Sequence, residues 1–435
     1  MTDHRETPIR SRSAKQPTPR WHSVLVIVVL VAAGLPLGPG LAHANDMSSI
    51  QNAAQPAPDS SHTSCSPLGL HASRAPIIFA NVPSPPKLPD IRSYILLDAK
   101  TGAIIAEKSP NLRSQPASLA KLMTAYLTYQ AIARHQLQLD QTVPVSTTAW
   151  HTPGSRMFIA PSMRVSVNQL LHGLIIDAGN DAAVALAQAV AGTRGAFVNM
   201  MNATAVQLHL RNTHYTDVDG LPKPGLYTTA RDIGILSRDI IEQYPQLLTI
   251  SEQKTYTFDR IRQRNWNPVL FTDPTVDGLA TGLTKESGHC IDASAIRKGR
   301  RLIAVVMGAP SWHNAAGAIE ALLSYGYDFY TDSTVIPTGV QLGLLKNRDW
   351  IPRMIPVGAN QRLVTTIAKN AGFDVRLRVN LTKQPRSGIR RGAIVGTICA
   401  MIGKQRIGSV PAIALERAAP ANLATRLLRD LQRFV

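Results

Sequence analysis

The sequence predicts an α+β fold in which a sheet carries a cluster of helices, followed by a small all-β domain and a C-terminal amphipathic helix. Three observations predict it. Strand-type and helix-type segments come in blocks rather than in strict alternation, with strands first, then a run of helices, then strands again. Beyond about residue 333, short alternating apolar segments replace the helical periods. The final stretch, Pro420 to Val435, returns to helical spacing.

The elements follow in chain order. Residues 1–44 form a secretory address. Arg5, Arg10, Arg12, Lys15 and Arg20 precede an apolar run from Val24 to Ala33, and Ala42-His43-Ala44 supplies a small-residue cleavage site. The run breaks at a Gly/Pro cluster, short of the roughly 20 residues of a spanning helix. It has no twin-Arg pair, and Cys65 has no lipoprotein box before it. The expected destination is the periplasm, at the outer face of the inner membrane. Residues 45–88 are rich in Pro and Ser and lack any period, as a linker does. Residues 89–333 form the larger folded unit, 334–417 the β-rich domain and 418–435 the terminal helix.

Within the larger unit, Ser93–Asp98 and Ala103–Glu107 flank Thr101-Gly102 and read as a hairpin. From Ser118 the period changes: Leu119, Leu122, Met123, Tyr126 and Leu127 share one helical face. Ser166 is placed to cap a helix through Leu170, Leu171 and Leu174. A break at residues 177–180 precedes a helix from Asp181 to about Ala191. Thr229 to about Glu242 is helical, residues 254–310 are mainly β, and Leu322–Tyr330 is helical. In the β-rich domain, Arg376 and Arg378 alternate with Val375, Leu377 and Val379, so one strand face is wet. In the terminal helix Leu423, Leu427, Leu428, Leu431 and Phe434 share a face, and Arg426, Arg429 and Arg433 lie elsewhere. That suits an anionic membrane surface; packing on the protein itself is the alternative.

The net charge of +18 draws the chain to polyanions without choosing among them. No nucleic-acid-binding module is present, so nucleic acid is not an expected partner. Three scattered cysteines, Cys65, Cys290 and Cys399, make no disulfide framework, although a Cys290–Cys399 bond is conceivable. His151, His172, His209, His214, His289 and His313 lack ligand spacing, so neither a metal nor a cofactor is expected.

One pattern carries chemistry. Serine becomes a nucleophile when a base takes its proton, and residues i and i+3 share a helix face. S-x-x-K can therefore bring hydroxyl and amine together. The chain has three: Ser84–Lys87, Ser118–Lys121 and Ser251–Lys254. Pro85 and Pro86 forbid a helix in the first, and the third runs into strand-like Thr255-Tyr-Thr-Phe258. Only Ser118 opens an amphipathic helix.

The segment Gln115-Pro-Ala-Ser-Leu-Ala-Lys-Leu-Met-Thr124 resembles the nucleophile segment of the low-molecular-mass penicillin-binding proteins, the serine D-alanyl-D-alanine carboxypeptidases of peptidase S11 type. Ser155-Arg-Met-Phe158, Gly179-Asn180-Asp181-Ala182, Tyr227-Thr-Thr-Ala-Arg231 and Val276-Asp-Gly-Leu279 follow in the family's order. The resemblance implies a penicillin-binding/β-lactamase-like transpeptidase domain, the β-rich second domain and a membrane-associating helix. It implies acyl transfer with Ser118 as nucleophile, Lys121 as base, Asn180 on the substrate amide, and Thr281 and Gly282 on the strand that binds the peptide end. The N–H groups of Ser118 and Leu283 would form the oxyanion hole. Peptidoglycan stem peptides would be substrates, and β-lactam antibiotics acylating inhibitors.

The family's second and third motifs, S-x-N and K-T-G, are degenerate. Ala178 stands where the family has serine, and Ala280 where it has lysine. No arginine appears in Pro310–Gly317, leaving Lys285 and His313 as candidate replacements for the lost cations. Weakened carboxypeptidase activity is the leading expectation, and a non-catalytic peptidoglycan or envelope-partner binding protein is the alternative. A β-lactamase is disfavoured, because Glu242 and Glu252 have no E-x-x-x-N setting for activating water.

Overall fold

The computed structural model describes Phe79, residues 82–369, Ala371 and residues 374–431. The secretory address and most of the linker lie outside these residues. The larger unit is built on a five-stranded antiparallel sheet with the order Ile104–Lys108, Ser93–Asp98, Arg300–Ala309, Gly288–Arg297, Val276–Thr284. The last of these is an edge strand, and it carries Ala280, Thr281, Gly282 and Leu283.

Both faces of the sheet are buried, and strand alternation divides the core between them. Ile95, Leu97, Ile303 and Val305 point into one cluster with Leu122, Leu171 and Leu186 of the helices. Leu96, Ile291 and Val306 point the other way, toward Leu322, and that cluster continues to Trp350, Val357 and Val410 of the second domain. Gly234 lets its helix approach closely, since a Cβ there would stand 2.7 Å from Leu97.

Local sequence sets the helix starts. Ser166 and Gln169 form a reciprocal capping box on Val167–Ile175. Thr193, Thr229 and Ser311 cap Arg194–Gln207, Ala230–Gln243 and Trp312–Phe329. Two of these differ from the sequence reading. Arg194–Gln207 has no counterpart among the elements the sequence predicts, and Trp312–Phe329 starts ten residues before Leu322. The start at Trp312 follows from the Ser311 side chain, which accepts from the Asn314 N–H.

The second domain holds a five-stranded sheet ordered Gly343–Lys346, Met354–Ala359, Gln405–Ala414, Ile394–Ile402, Val375–Leu381. The Tyr330–Ile336 strand leaves the larger unit and pairs with Leu363–Ala368. Thr101 Oγ1 meets Thr366 Oγ1 at 2.6 Å, and the Arg300 guanidinium lies between Asp98 and Asp332. Cys290 is free and buried while Cys399 is disulfide-bonded, so the conceivable Cys290–Cys399 bond is not formed. Cys290 sits in the larger sheet and Cys399 in the second, and the two belong to separate units. Among the described residues no helix is long and apolar enough to cross a membrane.

Candidate active site

Ser118 lies in a 3₁₀ turn, Ala117–Ala120, that runs directly into the helix Lys121–Ala133. The helix proper thus starts three residues later than the apolar period suggests, and the i, i+3 relation survives the tighter turn. Lys121 Nζ donates to Ser118 Oγ at 2.9 Å. Ala117, just before Ser118, has φ +49°, a left-handed conformation that non-glycine residues rarely adopt and that clusters at functional sites.

Neighbouring segments hold this turn from two sides. Gly220 has φ +84°, and a Cβ there would fall 1.8 Å from the Ala117 carbonyl oxygen, so only glycine fits. This approach lets the Asp219 main-chain carbonyl accept from Lys121 Nζ at 2.7 Å and the Val218 carbonyl accept from Thr124 Oγ1 at 2.9 Å. From the other side comes the edge strand. A Cβ on Gly282 would stand 3.0 Å from both Ala117 Cβ and Ser118 N.

Lys121 is wholly buried. Burial pushes its ammonium down from 10.5 to about 8, against the opposing pull of Asp219, Asp181 and Asp217. An amine titrating near 8 and touching a hydroxyl is equipped to take its proton.

Asn180 opens the helix Asn180–Ala191 and is buried, with Nδ2 donating to the Pro153 carbonyl at 2.6 Å. Its neighbour Asp181 ties down the facing loop. Asp181 carboxylate oxygens accept from the N–H groups of Met157 at 3.0 Å and Phe158 at 2.9 Å. The sequence pattern gives Asp181 a helix start and a place in a resembling segment but no role, and gives Asp219 none of these. The signal for Asp181 was its place in the first turn of a helix, where a carboxylate is favoured. Asp219 reaches Lys121 both through its charge and through its main-chain carbonyl, and the carbonyl contact is one that no side-chain pattern reveals.

Ala178 and Ala280 lie near these groups. Ala178, with φ +51°, presents no hydroxyl. Ala280 and Thr281 are nearly buried, whereas Leu283 is 48% exposed. Ala280 is the register partner of Asp292 on the adjacent strand, so the two side chains share a face of the sheet. Asp292 is fully buried; it accepts from Ser237 Oγ, and its Oδ1 has no hydrogen-bond partner. Burial pushes its carboxyl up to about 7, outweighing the Ser237 hydrogen bond. Among the described residues no cation hydrogen-bonds or ion-pairs with this carboxyl. Lys285 is exposed in the turn beyond Thr284, and His313 is exposed at the start of Trp312–Phe329.

A family model described as D-alanyl-D-alanine carboxypeptidase matches residues 80–311, which include the nucleophile turn, the Asn180 helix and the edge strand. The chain belongs to this family, peptidase S11. It is 35% identical over 348 residues to the D-alanyl-D-alanine carboxypeptidase DacC of Escherichia coli, covering 78% of this chain and 86% of that protein. It is 36% identical over 360 residues to DacD of the same organism, covering 80% and 92%. Among solved structures it is similar to penicillin-binding protein 5 of Haemophilus influenzae, with TM-score 0.70 and 30% identity over 77% of this chain and 99% of that one. The peptidase S11 family gives this chain its serine-hydrolase class and D-alanyl-D-alanine carboxypeptidase function. Its fold is that of the penicillin-binding carboxypeptidases, with a separate all-β second domain.

Proposed function

We propose that this carboxypeptidase trims the terminal D-Ala of peptidoglycan stem peptides through an acyl-Ser118 intermediate, at a reduced rate. The carrying observation is the 2.9 Å contact between Ser118 Oγ and a buried Lys121 amine. Ser118 Oγ attacks the carbonyl of the penultimate D-Ala while Lys121 takes its proton. The bond to the terminal D-Ala breaks, and that residue leaves with a proton returned from Lys121. Water then cleaves the ester. Asn180 binds the substrate amide, Thr281 and Gly282 bind the peptide along the edge strand, and the N–H groups of Ser118 and Leu283 hold the oxyanion. β-Lactams acylate the same serine.

The reduced rate rests on Ala178 and Ala280. One lost charge-assisted contact costs roughly 10²–10³ in rate, and coupled losses need not multiply. The same two residues motivate the second reading, a relative that binds peptidoglycan or an envelope partner without turnover. Release of D-Ala from a synthetic peptide ending in D-Ala-D-Ala separates them. Release that disappears in Ser118→Ala supports the enzyme. No release above the Ser118→Ala background supports the binder.

We further propose export to the periplasm and attachment to the outer face of the inner membrane. Leu423 and Leu428 of the Leu423–Leu431 helix are 74% and 62% exposed. Arg429 holds the helix to the domain through the carbonyls of Arg348 and Trp350. Residues 334–435 contain seventeen Lys and Arg against four Asp and Glu, thirteen of the eighteen net charges. A basic domain with an apolar helical face suits an anionic bilayer. Mature chain beginning at Asn45 should sediment with anionic vesicles, and Leu427→Glu should release it. Equal sedimentation of the two chains contradicts the attachment.

A further inference from the structure

We propose that Arg92 is a positioning residue for the oxyanion hole: its guanidinium clamps the turn that ends the edge strand and so fixes the Leu283 N–H. This rests on the carboxypeptidase reading above, in which that N–H is one of the two oxyanion donors. The need for a clamp is physical. The strand Val276–Thr284 has a neighbour, Gly288–Arg297, on one side only. An N–H on the open side of an edge strand has no partner strand to hold it. Leu283 is also the last residue but one of its strand, where ladders fray. Misplacing a reacting group by about 1 Å can cost about 10²-fold in rate, so the end of this strand needs an anchor.

The turn is held twice. Its own side chains close it: the wholly buried Ser287 accepts from the Thr284 N–H at 2.9 Å, and Thr284 Oγ1 accepts from the Ser287 N–H at 3.0 Å. Arg92 then ties the turn to the middle of the sheet. Its Nη2 donates to the Glu286 carbonyl at 3.1 Å and to the Ser287 carbonyl at 2.5 Å. Such bonds from a charged donor are stronger than those from a neutral one. Arg92 immediately precedes the strand Ser93–Asp98, which lies three places in from the edge. Its side chain therefore crosses the ends of the two strands between, at Gly308 and Gly288. Both glycines leave it room. A Cβ on Gly308 would collide with Arg92 Nε, and one on Gly288 would stand 3.0 Å from Arg92 Nη2.

The charge of Arg92 is felt beside the nucleophile as well. Burial pushes the Cys290 thiol up to about 11, against the pull of the Gly308 main chain and the Arg92 charge. Cys290 is the register partner of Gly282, the residue whose missing Cβ lets the strand approach Ser118. The guanidinium thus sits at the active-site end of the sheet, one turn from Leu283. Arg92 itself is exposed, so Arg92→Met removes the clamp and leaves the core intact.

The test compares the unaltered chain with Arg92→Met and Arg92→Lys by two readouts. The first is hydrogen exchange followed by mass spectrometry. Exchange over residues 280–290 should quicken about tenfold in Arg92→Met, less in Arg92→Lys, and stay the same over residues 121–133. The second is acylation by an ester substrate and by its thionoester, whose sulfur is a poor hydrogen-bond acceptor. The unaltered chain should prefer the ester, since oxygen gains most from the hole. Arg92→Met should acylate about tenfold more slowly with the ester and nearly unchanged with the thionoester, because its donor is misplaced rather than missing. Arg92→Lys, which keeps a cation for one carbonyl, should fall between. A general loosening of the fold would slow both substrates alike. Unchanged exchange over the turn overturns the clamp. Normal acylation of the unaltered chain with equal slowing of both substrates in Arg92→Met defeats the role of Arg92 alone. No acylation of the unaltered chain by either substrate defeats the carboxypeptidase reading, and the oxyanion role of Arg92 with it.

Discussion

On the helical wall of the active site, the buried Lys121 amine bonds the Ser118 hydroxyl and the Asp219 carbonyl at 2.9 and 2.7 Å, and the Asn180 carboxamide bonds the Pro153 carbonyl at 2.6 Å. The strand wall opposite offers Ala280, Thr281 and Gly282, with a lone buried carboxyl at Asp292 beside Ala280. The strand's backbone approaches Ser118 closely, since a Cβ on Gly282 would stand only 3.0 Å from the Ser118 nitrogen. Its charge is gone. The difference teaches that, in the proposed function, nucleophile activation and substrate-carboxylate recognition rest on different elements of the fold and can be altered separately.

The largest effect should come from the helical wall. Lys121→Ala should lower Ser118 acylation by about 10²–10⁴, the usual worth of a positioned base. Stopped-flow measurements with a fluorescent penicillin would read it. In the unaltered chain the acylation rate should rise with pH through a midpoint near pH 8, where half of the buried Lys121 is neutral, and level off about one unit above it. The sign follows from the chemistry: burial disfavours the charged form, so the base is available above about 8 rather than above 10.5. A profile flat from pH 6 to 9 in the unaltered chain, or one unchanged in Lys121→Ala, would break the assignment of the base.

A smaller effect should come from the strand wall. Ala280→Lys restores a cation beside Asp292 and the nucleophile. Acylation should increase by about ten- to a hundredfold, at or below the loss attributed to one charge-assisted contact. The gain should appear with carboxylate-bearing penicillins and be small with a neutral ester analogue. If both substrates gain equally, the substitution acts on Lys121 rather than on the substrate carboxylate, and the two walls are not separable.

How much of this was legible in the sequence depended on the range of the interaction. Ser166 and Gln169 cap their helix within four residues, so pattern alone finds them. Ser118 and Lys121 sit three apart, and context singled them out from the other two pairs. The Arg194–Gln207 helix escaped although Phe197, Met201, Thr204 and Ala205 share its buried face. Val198 and Met200 at the edges of that face and the exposed Val206 opposite it blur the period. Asp219 escaped for a different reason. It lies 98 residues from Lys121 and meets it through a carbonyl that every residue possesses. The pairing of Ala280 with Asp292 needed the strand register, which no single strand announces.

Mass spectrometry after incubation with a labelled penicillin tests the acyl-Ser118 claim most directly. One covalent adduct should form, localised to the peptide that contains Ser118 and absent from Ser118→Ala. A chain that stays unlabelled where a control carboxypeptidase is fully acylated, or one labelled equally in Ser118→Ala, would contradict it.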